Sequence, residues 1–345
     1  MEDKIFNIAV IGSAGMARRH MKGVIANPKA RLYAVCDIHP EQIEKAKALP
    51  GADIAVTTTD YRTLLDDPKI DAAIIVTPDQ THVEITCAFL RAGKHVMCEK
   101  PMALSIAECE EMMRVEKETG KMLMIGQVCR CNPTCKVMKK MVDDGMIGDL
   151  YFVESEYAHS YTIHPGVDNW RITPERNGFI GGGCHAVDLL RWIAGNPTEV
   201  SAYSNHKCLT DWPADDCTVS IMKFPNGVIG KVFASIGCVR DYTMRTVLYG
   251  TKGTISKERE GLLKLYKGEG KKINGNLDFT YPIEIPVESK SHNVAGELEI
   301  FLDALINGKK SPITSLDGAS TVAVCNAAIE SARTGKTVTI KYPEG

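Results

Sequence analysis

Four groups of residues in this sequence have the types and spacing to do chemistry. The first is Gly12-Ser13-Ala14-Gly15-Met16-Ala17, set between an apolar run at residues 5–11 and a helical pattern. A G-x-G-x-x-G/A turn in that setting binds a dinucleotide. The first glycine makes the tight turn, the second admits the pyrophosphate, and the third position packs the helix. Gly12 and Ala17 fit the first and third positions. Ala14 replaces the second glycine, and its methyl group crowds the approach, although Gly15 beside it restores freedom. An ordinary tight turn is the competing reading. Asp37, 20 residues after Ala17, is the second group. A carboxylate there meets the adenosine ribose diol. It repels a 2′-phosphate about 4 Å away by about 4 kcal/mol at an effective dielectric of 20. Ile38 and His39 add no arginine, so NAD is expected over NADP.

The third group is Thr77-Pro78-Asp79-Gln80-Thr81-His82 with Glu99-Lys100-Pro101, each following an apolar run. A lysine in such a place is a proton donor, an orienting cation or a surface residue. A nicotinamide cation beside it favours the neutral amine, which suits acid–base work. The fourth lies around His185, with Tyr157, His159, Tyr161, His164, Asp168, Trp170 and Arg171. Tyrosine hydroxyls and ring faces suit a sugar, and core or surface tyrosines are the alternative. A zinc site of His159, His164 and His185 is weighed and set aside. So is one at Cys129, Cys131 and Cys135, whose spacing departs from the paired cysteines of structural zinc. No metal is expected.

The elements that must position these groups follow from periodicity. Residues 5–11, 31–37, 54–57, 71–77, 95–98 and 122–125 read as strands. Helical patterns alternate with them, including a capping box at Ser105-Ile106-Ala107-Glu108. That alternation predicts a doubly wound parallel sheet, the Rossmann arrangement, with ligands beyond the carboxyl ends of its strands. Past residue 126 a helix from Asn132-Pro133 leads into a run of strands, with a hairpin turn at Phe224-Pro225-Asn226-Gly227. Helices return at 294–306 and 316–333. The fold expected is therefore α/β: a Rossmann domain over 1–125, then an α+β domain over 126–345 with a large, mainly antiparallel sheet.

Composition closes off other classes. Lys+Arg 41 against Asp+Glu 43 leaves no basic excess for nucleic acid or an anionic membrane. No run approaches 18 apolar residues, and the N-terminus shows no secretory pattern. The chain is expected to be cytoplasmic, and its 12 cysteines are expected to be free thiols.

Taken together, these motifs resemble the glucose-fructose oxidoreductase / inositol dehydrogenase / MocA family of sugar and cyclitol dehydrogenases. The likeness spans nearly the whole chain. It rests on the turn at residues 12–17, Asp37, Thr77-Pro78 with His82, and the stretch from Ala92 through Gly93-Lys94-His95-Val96 to Glu99-Lys100-Pro101. It continues in Gly126-Gln127 with Arg130, Trp170-Arg171, the Gly181-Gly182-Gly183-Cys184-His185 run to Leu190, and Ser331–Lys336.

The resemblance implies that Lys100 touches both the reacting hydroxyl and the nicotinamide. It implies that His185 is the catalytic histidine, that the Lys100–Pro101 bond is cis, and that the second sheet builds dimers or tetramers. Gly12, Ser13, Ala14, Gly15, Met16, Asp37, Thr77, Pro78, His82, Glu99 and Lys100 are expected at the cofactor. Lys100, Tyr157, His164, Asp168, Trp170, Arg171 and His185 are expected at the substrate. Many family members carry an aspartate four residues before the histidine, where this chain has Gly181. Asp168 and Glu156 are candidates to replace that acid, and Asp188 to cap or orient the helix of His185. Cys184 is a candidate thiol at the substrate site. The expected activity is hydride transfer between a secondary alcohol of a sugar, sugar derivative or cyclitol and NAD. A redox-neutral lyase or hydrolase that uses tightly bound NAD transiently is one alternative. A non-catalytic sugar- or NAD-sensing protein is another.

Overall fold

A computed structural model describes residues 4–162, 165–268, 271–273, 276–278, 282–288 and 292–345. The chain divides into two compact units. One comprises residues 1–128, 294–322 and 343–345. The other comprises 129–293 and 323–342.

The first unit is built on β1 (Phe6–Ile11), β2 (Ala30–Cys36), β3 (Val56–Thr58), β4 (Ala72–Ile75), β5 (His95–Glu99) and β6 (Leu123–Gly126). All six run parallel, in the order β3-β2-β1-β4-β5-β6. Ile8, Val10, Ala73, Ile74, Val96 and Cys98 are wholly or almost wholly buried. Burial from both faces explains why these strands read as continuous apolar runs. Strand order reverses between β1 and β4, the place where such sheets bind ligands. The helices between strands are α1 (Gly15–Ala26), α2 (Pro40–Lys47), α3 (His82–Arg91) and α4 (Ile106–Thr119). Ser105 and Glu108 close the expected capping box on α4, which ends at a left-handed Gly120.

In the second unit, α5 (Pro133–Asp143) starts at Asn132, whose side chain accepts from the Cys135 N–H. Then come β7 (Leu150–Ala158), α6 (Cys184–Ala194), β8 (Glu199–Asn205), β9 (Cys217–Lys223), β10 (Ile229–Ser235), β11 (Thr246–Gly250), β12 (Gly253–Arg259) and β13 (Leu262–Lys267). A short hairpin, β14 (Lys271–Ile273) and β15 (Asn276–Asp278), precedes β16 (Ile283–Pro286). The helices α7 (Val294–Ile306) and α8 (Ser315–Thr334) and the strand β17 (Val338–Thr339) complete the chain. The large sheet has the order β16-β13-β12-β11-β7-β10-β9-β8-β17. Its pairs are antiparallel except β7 with β10, which run parallel. The hairpin turn between β9 and β10 forms as expected, with Gly227 at φ +82°.

The α7 helix belongs to the first unit, although it follows the second sheet in sequence. It packs on α1 at Gly23, where a Cβ would lie 3.7 Å from the Ala295 Cα. No helix among the described residues is long and apolar enough to cross a membrane.

Candidate functional site

The turn after β1 is shaped by its neighbour in the sheet. Gly12 has φ +87°, and a Cβ there would stand 2.5 Å from the Val76 carbonyl oxygen at the end of β4. Only glycine meets both demands. Ala14 lies in ordinary extended backbone, so the conformation of the turn does not need glycine at the second position. The first turn of α1 has no side-chain cap and no acidic residue, and a Cβ on Gly15 would meet nothing within 4 Å. Uncapped N–H groups at Ala14, Gly15 and Met16 are what a pyrophosphate requires. A dinucleotide therefore fits these residues.

Asp37 closes the turn from β2. Its Oδ2 accepts from the Ser13 N–H at 2.7 Å and the Ser13 hydroxyl at 2.9 Å, and its Oδ1 accepts from the His39 N–H at 3.0 Å. The carboxylate is thus fixed by the turn itself. Arg18, which the sequence pattern did not bring forward, reaches the Ser13 carbonyl at 2.9 Å and Gln42 Oε1 at 3.1 Å. Asp37→Ala removes the fixed negative charge. The expected result is at least a tenfold fall in the NAD-over-NADP ratio of kcat/KM (about 1.4 kcal/mol), read from initial rates with both cofactors. An unchanged ratio contradicts this role for Asp37.

His82 is a clamp. Its Nδ1 lies 2.9 Å from the Pro101 carbonyl oxygen and its Nε2 3.1 Å from that of Thr77. Both ring nitrogens are spent on main chain, tying the segment after β4 to the turn after β5. Two carbonyl partners call for an imidazolium. Burial opposes that charge, but Cys98, Asp79 and the Pro101 carbonyl outweigh burial and push the pKa up to about 10. A folded pKa raised from about 6.5 adds stability below pH 6.5 that is lost as pH rises through about 10. The melting temperature of the wild type is therefore expected to fall more steeply between pH 6.5 and 10.5 than that of His82→Gln. Parallel curves in a thermal melt series would sink the clamp's imidazolium.

Lys100 is half-buried just past β5, in a cis Lys100–Pro101 peptide, as the resemblance implied. Its N–H donates to Glu99 Oε2 at 3.1 Å, while Glu99 Oε1 lies 2.8 Å from His20 Nε2. Burial favours the neutral acid at Glu99. The His20 hydrogen bond and charge, the Lys100 charge and the Lys100 N–H outweigh burial and keep it a carboxylate.

His185 opens α6 in the second unit. A π-helical turn, Phe179–Gly183, feeds that helix and leaves His185 3% exposed. The Tyr157 ring stacks on it at 5.8 Å and 28°, and His292 meets it edge-on at 6.0 Å. Tyr157 and Tyr161 join hydroxyls at 2.9 Å, and burial, together with Tyr161, holds Tyr157 in its neutral form. His159 packs edge-on against Tyr157, Tyr161 and Tyr242. Sequence reading did not single out Tyr242 or His292, because isolated aromatic residues in a strand-rich stretch carry no periodic signal. His164 lies outside the described residues.

Gly181 is explained by Arg176, which sequence reading also missed. A Cβ at Gly181 would stand 2.4 Å from the Arg176 guanidinium, and one at Gly182 would stand 2.3 Å from the Tyr157 ring. Where many relatives in the family would place a carboxylate, this protein has a buried cation. Arg176 and Arg171 both lie over the Trp170 ring, at 4.9 and 4.3 Å. Asp168 is exposed, at φ +53° in a short helical turn.

Three expectations need correction. Glu156 is not the acid that serves His185: strand alternation turns it to the face opposite Tyr157, where it pairs with Arg245 at 3.4 Å. Asp188 does not cap its helix, so of the two roles expected for it only orienting the helix stands. It forms a bidentate ion pair with Arg130 at 2.9 and 2.8 Å, both residues being buried. Cys184 is wholly buried, which removes it as a thiol open to substrate or reagent. All twelve cysteines are free thiols. Burial pushes Cys135 up to about 11 and lifts Cys129 well above the usual thiol range, so neither is a ready thiolate ligand. Among the described residues, one cluster brings three possible ligand atoms within 4.8 Å: His20, Glu99 and Glu297.

Comparison with known proteins agrees with this geometry. Residues 6–127 match the oxidoreductase family model for the NAD-binding Rossmann fold of Gfo/Idh/MocA proteins, and residues 135–256 match the C-terminal domain model of the same family. Inositol 2-dehydrogenase 2 of Saccharopolyspora erythraea is 28% identical over 341 residues, covering 97% of this chain and 95% of that one. The scyllo-inositol 2-dehydrogenase (NAD(+)) of Bacillus subtilis is also 28% identical, over 96% of this chain and 95% of its own. Levoglucosan dehydrogenase in complex with NADH shares the fold, with a TM-score of 0.87 at 23% identity over 99% of this chain and 100% of that one. Since the two family models between them match most of its length, this chain belongs to the Gfo/Idh/MocA oxidoreductase family and carries that family's NAD-binding Rossmann domain.

Proposed function

We propose that this protein is an NAD-dependent dehydrogenase that oxidises a secondary alcohol of a sugar, sugar derivative or cyclitol. The observation that carries the reading is the fixed set of Gly12, the uncapped start of α1 and Asp37, in a chain that keeps both Lys100 and His185. The relatives named as inositol dehydrogenases support the substrate class. NAD supplies the hydride acceptor when bound. The turn at residues 12–16 holds the pyrophosphate and Asp37 the ribose, with Thr77, Pro78 and Glu99 shaping the cofactor side. Lys100 orients and polarises the reacting hydroxyl through its ammonium. His185 takes the hydroxyl proton. Tyr157, Asp168, Trp170 and Arg171 form the substrate side, and the two arginines over Trp170 favour an oxygen-rich ligand.

The test is a panel of inositols, aldoses, glycosides and anhydrosugars with NAD and with NADP, followed by absorbance of the reduced cofactor. Net NADH from a polyol is expected. Product without net NADH would establish the redox-neutral alternative, and cofactor binding with no turnover on the whole panel the sensing one.

The second unit serves substrate binding and assembly. Along β8, β9 and β10, Tyr203, Ile221 and Ile229 stay exposed on the sheet face opposite the buried Ala202, Ser220 and Gly230. Exposed apolar groups aligned across strands favour a homodimer or homotetramer through this face. Ile221→Glu is expected to lower the assembly to monomer in sedimentation analysis. A monomeric wild type contradicts it. The free thiols support a reducing, cytoplasmic setting.

A further inference from the structure

The first unit contains a buried acid that the reaction as described does not use. Glu297, on α7, is 0% exposed, and neither of its carboxyl oxygens has a hydrogen-bond partner. It lies against the ends of two strands. A Cβ on Gly126 would stand 3.4 Å from its Oε1, and its ligand oxygen lies within 4.8 Å of those of Glu99 and His20. The groups that act on it are Glu99 and Lys100 past β5 and His20 on α1.

Counting protons narrows the possibilities. Glu99 Oε1 takes the His20 Nε2–H, and Glu99 Oε2 takes the Lys100 N–H. Glu99 is therefore the carboxylate. His20 Nδ1 is buried and has no hydrogen-bond partner. A second carboxylate at Glu297 would be a buried anion with no donor, beside another anion. The carboxylic acid is the form that matches its surroundings, where neither oxygen meets a donor and the Glu99 carboxylate lies within 4.8 Å.

We propose that Glu297 is a positioning residue for Lys100: held as the neutral acid within 4.8 Å of the Glu99 carboxylate, it leaves Glu99, which accepts from the Lys100 main chain, as the single negative charge beside that lysine. Burial and the neighbouring Glu99 both push its proton affinity up, against a smaller opposing effect of Lys100. The role in turnover rests on the dehydrogenase reading; the protonation state does not.

The test uses the whole protein. Infrared spectra of the wild type at neutral pH, in H2O and D2O, are expected to show the carbonyl band of a buried carboxylic acid. The band should vanish in Glu297→Gln. In Glu99→Gln it should bleach at lower pH, because the repelling charge is gone. In steady-state kinetics, Glu297→Gln, which keeps a neutral polar side chain of the same size, should hold kcat within about threefold. Glu297→Ala should lose at least tenfold in kcat with the KM for NAD unchanged. Absence of the band in the wild type overturns the proposal, whether or not any variant folds. So does about one equivalent of metal per chain that is lost in Glu297→Gln, which would make the cluster a cation site. Equal kcat for the glutamine and alanine variants overturns the positioning role. A positive infrared result on a protein that oxidises no polyol defeats the dehydrogenase reading alone.

Discussion

Lys100→Ala is expected to lower kcat by about a thousandfold while NADH binding stays within about threefold. The size is that expected on the proposed reading, in which Lys100 is the cation that orients and polarises the reacting oxygen. Selectivity for turnover over binding follows from the structure. The turn at Gly12, the start of α1 and Asp37 hold their geometry through Val76, Ser13 and His39. The Lys100 main chain is held by Glu99, and alanine keeps that N–H. Fluorescence titration with NADH and initial rates on the best polyol read the two quantities separately. Unchanged turnover would remove Lys100 from the chemistry, and a parallel collapse of NADH binding would make it a cofactor anchor instead.

His185→Ala carries the second large effect, a loss of about a hundredfold to ten-thousandfold in kcat. The imidazole sits on the Tyr157 ring with His292 at its edge, so truncation leaves a ring-sized space between aromatic walls. Free imidazole should enter that space and restore part of kcat in a saturable way. The KM for NAD should not change, because the cofactor-fixing residues lie in the other unit. Rescue without change in KM marks His185 as the proton acceptor. A variant that loses substrate affinity but keeps kcat would make it a binding residue.

Much of this was legible in the sequence because the signals are local. A capping box needs four residues, and Ser105 to Glu108 formed one. The strands of the first sheet showed as apolar runs because both faces are buried. Gly12 was legible as a turn residue, though the reason for it, the Val76 carbonyl from another strand, was not.

What stayed hidden depends on contacts distant in sequence. Arg130 and Asp188 each stood in a motif, but nothing local says that the two motifs exist to meet as an ion pair. His82 looked like a cofactor residue by position, whereas its two carbonyl partners make it a clamp. Arg176 filling the space over Gly181 has no sequence signature, since neither residue is periodic or paired by spacing. The parallel pairing of β7 with β10 was hidden for the same reason: alternation within a strand is silent about the direction of its neighbour. Helix α7 joins the first unit through a glycine-sized approach to α1, a contact between residues far apart in the chain.

The most direct measurement of the central claim follows the hydride itself. A polyol substrate carrying deuterium at the reacting carbinol carbon is turned over with NAD, and the cofactor is analysed by mass. One deuterium is expected in each NADH formed, in step with ketone produced. Product that appears while NADH stays unlabelled, or does not accumulate, contradicts it.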